Sequence, residues 1–223
     1  MYETSLWLSV IFHSHAQTTS ILSPLLPDLY LSVTPPLKGE ASSCLTVLLA
    51  SLHSLERHYP SQRAFFDLIK SLPSSLALRD DHQLWLRELS SSLRRSRYPQ
   101  FRRLTQEASL VRLVTPEKPD RTPDRPDPNL ALLSLQTLVG SLRDHFRLSA
   151  WCTVRSAYRE FALRLPDTAG WLSDVLLLEP VAGKEVARGD SEHVQLWFIL
   201  RESLGEVVKK DGIDGRWAVK TKK

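Results

Sequence analysis

Apolar residues recur at steps of three and four along most of the chain, and this spacing predicts amphipathic helices. The clearest case runs from about residue 40 to 59, where Cys44, Val47, Leu48, Leu52 and Leu55 form one stripe. Pro60 breaks it. Ser61 can then cap a helix in which Phe65, Phe66, Ile69 and Leu72 repeat the pattern. Leu6, Val10 and His13 can share a face near the start, ahead of a Pro-punctuated segment, SPLLPDLYLSVTPPLKG (23–39). After Pro73, RDDHQLWLRELSSSLRRSR (79–97) carries Asp80 and Asp81 at its beginning and Arg94, Arg95 and Arg97 at its end, the polarity a helix dipole favours. Leu86, Leu89 and Leu93 form its inner stripe, and YPQFRRLTQEASLVRLV (98–114) reads as a shorter helical arm.

The pattern then changes twice. TPEKPDRTPDRPDPN (115–129) alternates proline with charge, has almost nothing apolar to bury, and reads as an extended loop. Helical spacing returns in NLALLSLQTLVGSLRDHF (129–146) and LSAWCTVRSAYREFAL (148–163), and Pro166 closes the second run. From residue 167 the helices shorten. TAGWLSDVLLL (168–178) is one; DSEHVQLWFILRESLG (190–205) is another, with Asp190 or Ser191 placed to cap its start and Gly205 to close its end. EVVKK and RWAVK flank DGIDG, a β-hairpin pattern with its turn. Helix, helix and hairpin is the order of a winged helix. The expected fold is therefore mostly α: an antiparallel helical-repeat stack over 1–165, a C-terminal winged-helix cap over 166–220, and a basic tail at 221–223.

Composition agrees with helices on helices: leucine dominates the apolar residues and glycine contributes only 8 of 223. No apolar run approaches the roughly 20 residues a bilayer span requires, so no membrane partner is expected. The apolar stretch at 6–12 lacks the basic flank and small-residue cleavage site of a secretory signal. Cys44 and Cys152, the two cysteines, form neither a disulfide framework nor a zinc set, which suits a reducing compartment.

Catalytic signals are weak. The chain has no Gly-rich phosphate loop, no G-x-S-x-G elbow and no H-E-x-x-H. His13 and His15 are two apart and His53 and His58 five apart, spacings that put neither pair on one helical face; His82, His145 and His193 are isolated. No catalytic residue, metal ligand, cofactor or small-molecule substrate is nominated. Cys44 and Cys152 are expected to be small buried hydrophobes.

Charge is more suggestive. The net charge of +4 permits nucleic acid without requiring it. Arg94, Arg95, Arg97, Arg102 and Arg103 form the densest positive group of the helical part, either a solvated helix end or an anionic docking strip. Lys209, Lys210, Arg216, Lys220, Lys222 and Lys223 crowd the C-terminus. In a hairpin, alternation sends Arg216, Ala218 and Lys220 to one face and Trp217 and Val219 to the other. Each phosphate met by such a side chain adds roughly 0.7–0.9 to the salt slope of binding, so a few contacts give only weak, sequence-independent affinity. The helix before the hairpin is a poor DNA reader. Val194, Trp197, Phe198 and Leu204 look inward, while Glu192, Gln195 and Glu202 are outer positions where carboxylates would repel phosphate. Surplus apolar Ile199 and Leu200 fit a protein partner better, and Trp217 joins them as a third candidate.

Two motifs carry a family resemblance. SSLRRSRYPQFRRL (91–104) matches a Ser-rich helix, short turn and R-Y-x-x-F-x-R-L, and VRSAYREF (154–161) matches a basic–alanine–tyrosine helix leading to a terminal wing. Together with HYPSQRAFFDLIKSL (58–72), they make residues 41–220 resemble the Sac-three/GANP family of PCI-domain proteins. An upstream cysteine–proline segment of that family is absent, and 115–129 looks like an insertion. The resemblance implies a non-catalytic nuclear scaffold in mRNA processing or export. Its expected partners are a second PCI protein, bound through the winged helix, a small acidic Sem/Dss-type subunit, and RNA or DNA backbone. Subunits of the proteasome lid, the signalosome and an initiation factor share this plan, and a stand-alone nucleic-acid-binding winged helix is the alternative from another class.

Overall fold

A computed structural model describes residues 2–29, 41–73, 76, 78–115, 127–178, 190–210 and 215–220. Most of the 115–129 segment, the hairpin turn at 211–214 and the tail, with Lys222 and Lys223, lie outside the described residues. The helices are α1 (Tyr2–Ile11), α2 (His15–Pro24), α3 (Ala41–His58), α4 (Arg63–Ser71), α5 (Asp80–Arg94), α6 (Tyr98–Leu104), α7 (Glu107–Val114), α8 (Pro128–Ala157), α9 (Pro166–Leu176) and α10 (Asp190–Ser203). Three short strands, β1 (Glu160–Ala162), β2 (Val207–Lys209) and β3 (Arg216–Val219), form an antiparallel sheet in the order β1-β3-β2. The chain is thus mostly helical with a small sheet near its C-terminus.

The long helix α8 organises the molecule. The side chain of Asp127 accepts a hydrogen bond from the Asn129 amide at 2.9 Å, and Pro128 occupies the first turn, where its missing N–H costs nothing. Residues 127–129, expected in the loop, therefore start this helix. Ala131, Leu135, Leu138, Val139, Leu142 and Phe146 then face a first core shared with α1, α3, α5, α6 and α7. Its last turns face a second core: Ala150, Trp151 and Val154 pack with Phe161, Leu172, Leu176, Val194, Phe198, Val207 and Trp217. One helix thus runs unbroken where two were expected. Tyr98 packs against both cores.

The helical stripes on α3 and α5 hold: Cys44, Val47, Leu48, Leu52 and Leu55 are buried, as are Leu86, Leu89 and Leu93. Other local expectations fail. His13 lies beyond α1 in a left-handed turn (φ 53°) instead of on its face. Gln62, not Ser61, precedes α4, and the Ser61 hydroxyl is only 3.4 Å from the Arg63 amide. Cys152 is exposed because it steps off the Ala150–Trp151–Val154 stripe. Residues 160–162 form β1 instead of extending the helix, since the backbone turns extended at Tyr158 and pairs with β3.

Candidate partner-binding surface

Helix α10 is apolar on two sides. Its inner side presents Val194, Trp197 and Phe198. The Phe198 ring lies 5.5 Å from Trp151, 5.3 Å from Phe161 and 5.6 Å from Trp217, centroid to centroid. Its outer side presents Leu196, Ile199, Leu200 and Leu204, which are 48–60 % exposed. These positions, at i, i+3, i+4 and i+8, line one continuous helical face. Leu204, expected inside, is in fact the most exposed of the four, because the inner stripe ends with Arg201.

Charged side chains fix the helix from within. The Arg201 guanidinium stacks 3.9 Å from the Trp197 ring centroid, and that of Arg147 lies 5.8 Å from the same ring. Arg147 donates to the carbonyls of Leu176 and Leu177, both at 2.7 Å, and to Asp144 at 2.6 Å. It thereby caps the C-terminal carbonyls of α9, where a cation also complements the dipole. Burial pulls the Arg147 pKa down while Asp144 pulls it back up.

Helix α10 ends at Gly205 (φ +73°). The Gly205 amide donates to Glu202 at 2.8 Å and the Glu206 amide to Arg201 at 2.9 Å, a Schellman closure that delivers the chain into β2. The Glu206 carboxylate then accepts from Trp151 Nε1 at 2.7 Å, Arg155 at 2.8 Å and Arg201 at 3.4 Å.

In the sheet, Phe161 pairs with Trp217 and Val207 with Val219, and this face covers the second core. Trp217 is only 6 % exposed and so is not a surface anchor; its ring packs on Phe198. Of the three expected partner-binding residues, Ile199 and Leu200 reach solvent. Leu196, Leu204 and the exposed Val208 of β2 are additions that the sequence analysis missed. The available signal was an α10 too apolar for a helix with one buried side.

The basic candidates divide. Lys210 pairs with Glu160 across the sheet, and its hydrogen bond holds the Glu160 carboxyl below its ordinary pKa. Arg102 pairs with Asp174 of α9. Arg94, Arg95, Arg97, Arg103, Lys209, Arg216 and Lys220 are exposed. Tyr158, from the VRSAYREF motif, lies just past α8 with its ring 5.3 Å from Trp171. Among the described residues, no helix is long and apolar enough to cross a membrane.

No family model, curated protein or solved structure matches the chain.

Proposed function

We propose that this chain is a non-catalytic scaffold subunit of the PCI type, whose C-terminal unit is a winged helix that pairs with a second PCI protein. The observation that carries the reading is the outward apolar face Leu196–Ile199–Leu200–Leu204, set on the last helix before a β2–β3 hairpin. A face of this kind gains free energy when a partner covers it. The succession β1–α9–α10–β2–β3 with sheet order β1-β3-β2 supports the winged-helix part. The helical stack ahead of it supports the scaffold part. The R-Y-x-x-F-x-R-L and VRSAYREF motifs support the Sac-three/GANP type, and with it a nuclear role in mRNA processing or export and a small acidic third subunit.

Affinity purification from cell lysate with mass spectrometry tests the proposal. A stoichiometric PCI-domain partner is expected, and the Ile199→Asp/Leu200→Asp double variant should lose it while keeping its thermal unfolding transition. A monodisperse monomer that recovers no PCI protein overturns the reading. RNA binding that weakens with salt and disappears on replacing Lys209, Arg216 and Lys220 would instead favour the nucleic-acid-binding winged helix.

A further inference from the structure

His15, the first residue of α2, lies against the C-terminal half of α3. There the His15 and His53 rings stack with centroids 5.6 Å apart and an interplanar angle of 21°. Glu56 stands three residues beyond His53, on the same side of α3. One ligand atom from each of His15, His53 and Glu56 lies within 4.8 Å of the other two. The three side chains border a cavity of about 10 Å³, the room of a single water or ion, which Ser9, His13 and Ser141 also line.

Glu56 is 4 % exposed. Its Oε1 accepts from Ser141 Oγ of α8 at 2.7 Å, but its Oε2 has no hydrogen-bond partner and sits 3.8 Å from His15 Nδ1. His53 is 6 % exposed; its Nε2 reaches Thr19 Oγ1 only at 3.4 Å, and its Nδ1 has no partner. A buried carboxylate oxygen and a buried imidazole nitrogen left without partners are costly unless something charged or polar satisfies them.

We propose that His15, His53 and Glu56 bind one divalent transition-metal ion of the zinc class, which ties the α1–α2 hairpin to α3. Two imidazoles and a carboxylate are a ligand set that zinc accepts, with a fourth position for water. Metal–ligand bonds of about 2.0–2.2 Å put tetrahedral ligand atoms roughly 3.3 Å apart, so the present spacing must contract. His15 supplies that adjustment, because its side chain is 48 % exposed at the start of a helix. The same exposure gives the ion its route in. Ser141 is the outer-shell donor that orients Glu56. This site is independent of the pairing surface on α10.

The test is zinc titration by calorimetry of the full chain, without a histidine tag and washed with chelator, together with the visible spectrum of the cobalt(II) form. One zinc per chain is expected, with the ligand-field bands of low-coordinate cobalt(II). His15→Ala and Glu56→Gln should each weaken zinc binding roughly tenfold or more, and His58→Ala should leave it unchanged. His15→Ala alters a half-exposed residue, so its folding is not at stake. No stoichiometric uptake, or uptake that His15→Ala leaves intact, overturns the proposal.

Discussion

The Trp151 indole donates its Nε1–H to the Glu206 carboxylate at 2.7 Å, joining residues 55 apart in sequence. That bond fastens the end of α8 to the start of β2, and Arg155 and Arg201 share the same carboxylate. Trp151 is almost fully buried, so its N–H has no water to fall back on. Glu206→Ala strands this donor and leaves Arg201 with its charge largely buried. The expected cost is about 2–4 kcal/mol, read from the urea midpoint. Combining it with Trp151→Phe should give a loss smaller than the sum of the two single losses by about 1 kcal/mol. Strict additivity would show that Glu206 acts through the arginines alone.

Gly215 adopts φ +75°, and a Cβ added there would lie 2.6 Å from Arg164 Cγ. Its carbonyl also receives the Leu163 amide at 2.8 Å, which ties β3 to the residue following β1. Gly215→Ala combines a left-handed backbone cost of about 1–2 kcal/mol with a clash. The total should reach roughly 2–3 kcal/mol. Arg164→Ala, added to that variant, should recover the steric part and leave the backbone part. If Gly215→Ala unfolds at the same temperature as the parent, the turn has another accessible geometry.

The two sides of α10 predict opposite responses. Phe198→Ala opens a cavity among Trp151, Phe161 and Trp217, and a loss of about 3–5 kcal/mol is expected. Leu196→Gln and Leu204→Gln remove exposed apolar surface and should change stability by no more than about 0.5 kcal/mol. Thermal melts of the three variants decide this. A large loss from either leucine would mean that its side chain is covered within the chain itself.

What was legible beforehand follows the range of the interaction concerned. The Cys44–Leu55 and Leu86–Leu93 stripes are local consequences of helical spacing against one core, and they lie where the pattern puts them. Gly205 closes α10 as expected, since a left-handed C-terminal residue is a local demand. Strand β1 was hidden because Glu160–Ala162 is extended only by virtue of β3, more than fifty residues later. Leu204 was misplaced because an α10 apolar on both sides does not say which side the core takes. The meeting of His15 with His53 was not legible because spacing compares neighbours in sequence, whereas these two rings come together from separate helices, α2 and α3.

His82 makes stability depend on pH. It is 1 % exposed, and its Nε2 lies 2.9 Å from Arg79 Nη2 and 3.0 Å from the Leu113 carbonyl. Burial is the largest influence and lowers its pKa; the Leu113 carbonyl opposes this, Arg79 adds to the lowering and Asp81 opposes it. With the folded pKa below the unfolded one, the unfolded chain binds more protons between the two values, and stability there rises with pH. The contribution is fully present above the unfolded value of about 6.5 and is lost as pH falls through the window toward the depressed folded value. One proton can impose a slope of at most about 1.4 kcal/mol per pH unit. His82→Gln removes this titration, so its stability should fall less than the parent's as pH drops from about 7.5 to 5.5. Chemical denaturation of both proteins at the two pH values measures the difference, and equal losses would mean that His82 is not the group responsible.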